Sequence, residues 1–178
     1  MVKGNNSMHL LFRYLLLVLI ALPGMGLFYR VFMPLTVFPV YGLLNLFFDA
    51  TLIGNTIFIG LTDIEIISAC VAGAAYYFLL VLNLSTPKID VKKRLKILGV
   101  SFGILLLINI LRIFILSVIY FQNEAIYNFA HILFWYLGST IFVVAIWFWS
   151  VKKFKIKEIP FYSDLKFLYS KSSLKKRS

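Results

Sequence analysis

Acidic side chains are scarce in this chain: seven aspartates and glutamates stand against eighteen lysines and arginines among 178 residues. Charge of either sign is thin, at 14% of residues, where soluble chains average about 25%. So few ions cannot coat a water-facing surface. Cysteine is rarer still. Cys70 stands alone, which excludes an internal disulfide and a multi-cysteine metal site. What the sequence has instead is apolar bulk, 61% hydrophobic residues with a mean hydropathy of +0.91. Soluble domains carry about 45–50%. A domain this small could not hide that surface from water, so the bilayer serves as its solvent. The length allows one compact unit and no separate soluble module.

The net charge of +11 raises nucleic acid as a partner, but the placement of the charge argues for a membrane surface. Lys3 and Arg13 flank the start of the first apolar run, Lys88, Lys92, Lys93, Arg94 and Lys96 crowd one loop, and nine more follow Trp149. Sixteen of the eighteen basic residues therefore lie in segments that one topology puts on the same side. Cytoplasmic loops carry such an excess, and anionic lipid attracts basic clusters next to the membrane. No nucleic-acid partner is expected.

Four spans satisfy this charge pattern: 10–33, 64–84, 95–121 and 129–151. The first run is longer than the about 7–15 apolar residues of a signal-peptide core, so it reads as an uncleaved span, kinked near Pro23, Gly24 and Gly26. The stretch 35–61 has no basic residue but is interrupted by Pro39, Gly42, Asp49, Gly54 and Gly60. A fifth crossing there would carry the basic loop to the other side. It reads better as an external interfacial helix over 40–48, followed by a β-hairpin of 50–53 and 56–59 around a Gly54-Asn55 turn. The second span stops at Ser85-Thr86-Pro87, and Trp135, Tyr136, Trp147 and Trp149 mark the ends of the fourth. Residues 1–151 thus form one all-α transmembrane domain, a bundle of about four helices. Residues 152–178 form a basic cytoplasmic tail, flexible apart from aromatic residues that rest on the membrane. Both termini are cytoplasmic. The external segments, 31–84 and 113–151, hold no basic residue besides Arg112 at their border.

Three side chains stand out against this background. Arg112 lies inside a span, where an arginine at the centre costs at least about 2.5–3.5 kcal/mol. It either bonds backbone carbonyls for structure or serves a site, and Asn109, one turn earlier on the same helix face, could orient it. Cys70, among Ser68, Ala69, Val71, Ala72 and Gly73, reads alone as packing. His131, near Tyr127, Asn128 and Trp135, reads alone as an interfacial residue. Their depths agree, however. Cys70 lies six residues inside the expected second span, about 9 Å, and Arg112 nine residues inside the third, about 13 Å. His131 opens the fourth. All three fall in the outer half of the bilayer on different helices. A thiol attacks a carbonyl as thiolate, a histidine can take its proton and return it to a leaving amine, and a fixed arginine can stabilise the thiolate or the oxyanion. Asp63, Glu65 or Asn128 could orient His131.

Cys70, the run Asn109-Ile110-Leu111-Arg112, and His131, in that order on successive spans behind a β-prone segment, resemble the exosortase/archaeosortase family. The likeness covers about residues 50–140, and the small size resembles the minimal archaeosortases of the pacearchaeosortase group. The family's Cys-Ser-Gly is here Cys70-Val71-Ala72-Gly73, so a hydroxyl beside the thiol is missing. The resemblance implies a membrane-embedded cysteine transpeptidase without cofactor or metal. Its catalytic residues would be Cys70 as nucleophile, Arg112 as stabiliser and His131 as general acid/base, with Asn109 in support. It implies as partners surface proteins that end in a short motif, a transmembrane helix and a basic cluster, which are cleaved and passed to an amine, in archaeal relatives one of a membrane lipid. A non-catalytic membrane scaffold or assembly factor is the competing reading.

Overall fold

The run expected to form one span over 10–33 is divided between two helices in the computed structural model, which describes residues 5–21, 26–122, 124–134 and 139–171. Helix α1 spans Asn5–Ala21 and helix α2 spans Gly26–Phe47. The interfacial helix expected over 40–48 is no separate element; residues 40–47 are the last two turns of α2. Pro34 and Pro39 lie inside α2 without ending it. Proline breaks helices in water, whereas in lipid a released backbone group has no solvent to turn to and neighbouring elements keep the helix going.

The hairpin forms where its turn chemistry puts it. Strands β1 (Ala50–Ile53) and β2 (Thr56–Ile59) pair antiparallel, with Gly54 at φ +62 in the turn. A third strand, β3 (Thr62–Glu65), was not expected; it pairs with β2 across a second tight turn at Gly60. The span expected over 64–84 takes in the last two residues of β3, Ile64 and Glu65. One face of the sheet carries Ala50, Leu52, Ile57, Ile59 and Ile64, packed with Ile66 against Val37, Val40 and Leu44 of α2 and Ile110 and Ile113 further along the chain. The other face carries Thr51, Ile53, Thr56, Phe58, Asp63 and Glu65. This period-two alternation is that of a sheet covered on one side.

The second span therefore starts later than its hydropathy suggests. Ser68–Val71 is a 3-10 turn and helix α3 runs only from Gly73 to Leu84, stopping as expected before Ser85-Thr86-Pro87. Twelve residues rise about 18 Å, short of the about 30 Å hydrocarbon core. Helix α4 (Val91–Gln122) is the long axis of the molecule at 32 residues, about 48 Å. The expected fourth span is again two helices, α5 (Glu124–Leu133) and α6 (Ser139–Lys153); Trp135 and Tyr136 lie outside the described residues. The tail is not simply flexible either, since Tyr162–Lys171 forms helix α7. Among the described residues, Gly26–Phe47 and Val91–Phe121 are long and apolar enough to cross a membrane.

Contacts order these helices from end to end. At one end, Arg13 of α1 pairs with Asp164 of α7 at 2.6 Å, Tyr14 donates to the same carboxylate at 3.2 Å, and the Phe161 N–H donates to the Ser85 carbonyl. In the middle, Phe28 and Phe32 of α2 stack with Tyr76 of α3 and meet Phe102 of α4 edge-on; the Phe32 and Tyr76 ring centres are 3.7 Å apart. At the far end, Phe48 meets Phe121. By these contacts helices α1 and α2 run one after the other in the same direction.

Helix α4 grips α3 at both of its ends. Arg94 donates to the Asn83 and Thr86 carbonyls at and just past the C-terminus of α3, where helical carbonyls lack donors from a following turn. Arg112, eighteen residues on, reaches the turn before α3. Eighteen residues are five whole helical turns, so the two guanidinium groups leave the same face of α4. The Asp164 contact predicts a measurable effect of its own. Asp164→Ala leaves the 13% exposed Arg13 side chain without its counter-charge. The expected cost is about 3 kcal/mol, the lower end for a broken buried pair. Limited proteolysis of the tail is expected to speed up; an unchanged rate would show that apolar contacts alone dock α7.

Candidate active site

Cys70 does not sit on a membrane helix, as the hydropathy suggested. It occupies the 3-10 turn, its N–H bonded to the Ile67 carbonyl at 2.9 Å. Ala72 follows at φ +58, ψ +39, a left-handed conformation that a non-glycine residue adopts at a cost of about 1 kcal/mol or more. That residue reverses the chain into α3. Gly73 then meets Tyr29 of α2 so closely that an added Cβ would stand 2.6 Å from Cε1 of the ring. The small residues after Cys70 are thus a sharp corner pressed against an aromatic side chain.

The corner is fixed from α4. Asn109 Nδ2 donates to the Cys70 carbonyl at 2.9 Å, and an Arg112 terminal nitrogen donates to the same oxygen at 3.2 Å. Both residues are buried, at 3% and 9% exposed. A strained, short turn holds its shape here because two donors converge on one carbonyl. The spacing of three residues put Asn109 and Arg112 on one face, as expected; that they share an acceptor on the cysteine's own backbone could not be read from the sequence. Arg112 Nε is buried and has no partner among the described residues.

Cys70, Arg112 and His131 border a single cavity of about 270 Å³, with Asp63, Ile64, Glu65 and Ile66 on one side and Ile113, Leu116, Ser117, Tyr120 and Tyr127 on the other. His131 comes from α5, not from the start of a long fourth span. Tyr127 lies one turn earlier on the same face and stacks on its ring, centres 5.5 Å apart and planes 10° apart. Tyr120 of α4 meets Tyr127 edge-on at 4.9 Å. Tyr127 brings a phenol hydroxyl to the cavity. Sequence places Tyr127 beside His131 only as an interfacial neighbour and gives no sign of Tyr120; the four-residue spacing of Tyr127 and His131 is the signal that joins those two. Of the groups suggested to orient His131, Asp63 and Glu65 border the cavity from β3, and the Asn128 side chain lies outside the described residues.

A thiol, an imidazole, a guanidinium and a phenol thus meet in one partly apolar pocket, a set able to carry acyl transfer. A family model described as transmembrane exosortase matches residues 1–150. No curated protein and no solved structure matches the chain. If the shared carbonyl anchors the corner, Asn109→Ala is expected to destabilise the protein by about 1–2 kcal/mol and to quicken alkylation of Cys70 in detergent. An unchanged melting temperature and alkylation rate would mean that Arg112 suffices.

Proposed function

Since the chain belongs to the transmembrane exosortase family, we propose that it is a membrane-embedded cysteine transpeptidase with Cys70 as nucleophile, His131 as general acid/base and Arg112 as the stabilising cation. The observation that carries this reading is the single cavity bordered by all three residues, which arrive from three separate elements. The Cys70 thiol gives its proton to His131 and the thiolate attacks a substrate carbonyl. Charge gathers on that oxygen, opposite the guanidinium. Collapse breaks the C–N bond; the leaving amine takes the proton from His131 and a thioester remains on Cys70. An acceptor amine then attacks the thioester, loses a proton to His131, and leaves as the new amide while the thiol re-forms.

The substrates in this reading are surface proteins that end in a short motif, a transmembrane helix and a basic cluster, and the acceptor is an amine of a membrane lipid. The orientation has both termini and the basic loop in the cytoplasm. With α1 and α2 counted as one broken traverse, the charge argument for that orientation holds unchanged. Arg94 then lies at the inner boundary and Arg112 about 27 Å further out along α4. An about 30 Å hydrocarbon core puts the pocket near the external face, within reach of a peptide bond just outside the membrane and of lipid headgroups. The anchoring of the Cys70 carbonyl by Asn109 and Arg112 would serve a non-catalytic scaffold equally well, and the first test below separates the two.

Cys70→Ala is expected to abolish cleavage of a co-expressed reporter that ends in such a signal, with unchanged membrane insertion. Cleavage at the wild-type rate would leave the scaffold reading. For the orientation, Leu61 at the tip of the second hairpin is fully exposed. Leu61→Cys in a Cys70→Ala background is expected to react with a membrane-impermeant maleimide added outside intact cells. Labelling only after lysis would invert the topology.

A further inference from the structure

Four consecutive residues of one segment, Asp63, Ile64, Glu65 and Ile66, border the cavity. Along a strand successive side chains point to opposite faces, so a cavity lying over one face would meet only every second residue. Contact with all four means that the cavity runs along the strand's edge. The sheet order is β1-β2-β3, so β3 has a partner on one side only. The Ile66 N–H donates to the Asn55 carbonyl, which fixes the phase of the ladder: the main chains of Ile64 and Thr62 also turn toward β2. The N–H and C=O groups of Asp63 and Glu65 therefore turn away from it, into the slot between β3 and α4.

We infer that this edge takes the substrate as an added β-strand: an extended peptide pairs with the main chain of Asp63 and Glu65, and its scissile carbonyl comes to Cys70. The inference rests on the transpeptidase reading above and names how that substrate docks. An unpaired strand edge is a template for an incoming extended chain, and this one is continuous with the nucleophile's pocket. The opposite wall supplies a buried Arg112 Nε, unpartnered among the described residues, which an incoming carbonyl would satisfy. Recognition through the main chain leaves side-chain specificity to the residues facing Tyr120, Tyr127 and Leu116.

The test uses full-length protein in liposomes and synthetic peptides that copy the residues just ahead of the transmembrane helix of a processed reporter. Each peptide is N-methylated at one position and competes against alkylation of Cys70. Strand addition predicts that methylation at alternate positions weakens protection about tenfold or more, whereas the positions between tolerate it. Protection that is indifferent to the methylated position overturns the docking while the transpeptidase reading stands. In parallel, Glu65→Pro removes an edge-facing N–H without breaking a bond to β2, a position where a strand accepts proline. Its KM for the reporter is expected to rise about tenfold above that of Glu65→Ala, which loses the same carboxylate and keeps the N–H, with the alkylation rate of Cys70 the same in the two variants. An equal loss in both variants assigns the effect to the carboxylate and overturns the proposal. Reporter cleavage that survives Cys70→Ala would instead overturn the transpeptidase reading, and the docking with it.

Discussion

Two arginines five turns apart on one helix hold the rest of the molecule in register. Arg94 takes the Asn83 and Thr86 carbonyls at the end of α3, and Arg112, with Asn109, takes the carbonyl of Cys70 just before its start. A helix of twelve residues is too short to span the bilayer, and in lipid every unsatisfied carbonyl at its ends would cost several kcal/mol. The long helix α4 supplies the missing donors. The distance between the two guanidinium groups thereby sets where α3 sits and how far from the basic loop the reactive corner lies.

The packing follows from that constraint. Lipid tails are as apolar as leucine side chains, so helix association depends on close fit and polar contacts more than on exclusion of water. The middle of the molecule is accordingly a set of interlocked rings, Phe28, Phe32, Tyr76 and Phe102, backed by Leu79, Leu105, Val143 and Ile146. Above it a second cluster seats the three-stranded sheet on α2 and α4. The sheet puts polar backbone, two carboxylates and a free strand edge beside a thiol that a plain helix bundle would bury in hydrocarbon. In the proposed reading it is the part of the fold that opens the pocket to a peptide.

Arg112 serves two ends at once. One terminal nitrogen anchors the turn, and Nε stays buried without a partner among the described residues. Leaving a charged group partly unsatisfied at such depth is unfavourable, and the expense makes sense where a reacting oxygen arrives to be stabilised. In the proposed orientation the residue lies near the outer boundary, not at mid-membrane, so the about 2.5–3.5 kcal/mol for a central arginine is an upper figure.

Composition alone determined that this is a membrane protein, because 61% apolar residues have no other solvent. The run of basic residues carries the proposed orientation, and turn chemistry at Gly54-Asn55 located the first hairpin to the residue. Spacing joined Asn109 to Arg112 on one face. Tertiary structure decided the rest. Hydropathy reads only whether a segment is oily, so it merged β3 and the 3-10 turn with α3, and α5 with α6. It also divided at its prolines a helix that neighbours keep continuous. The shared carbonyl under Asn109 and Arg112, the partnership of Arg94 with the end of α3, and the strand edge beside Cys70 join residues far apart in the chain. Contacts of that kind leave no periodicity in the sequence, and they turn three scattered side chains into one pocket.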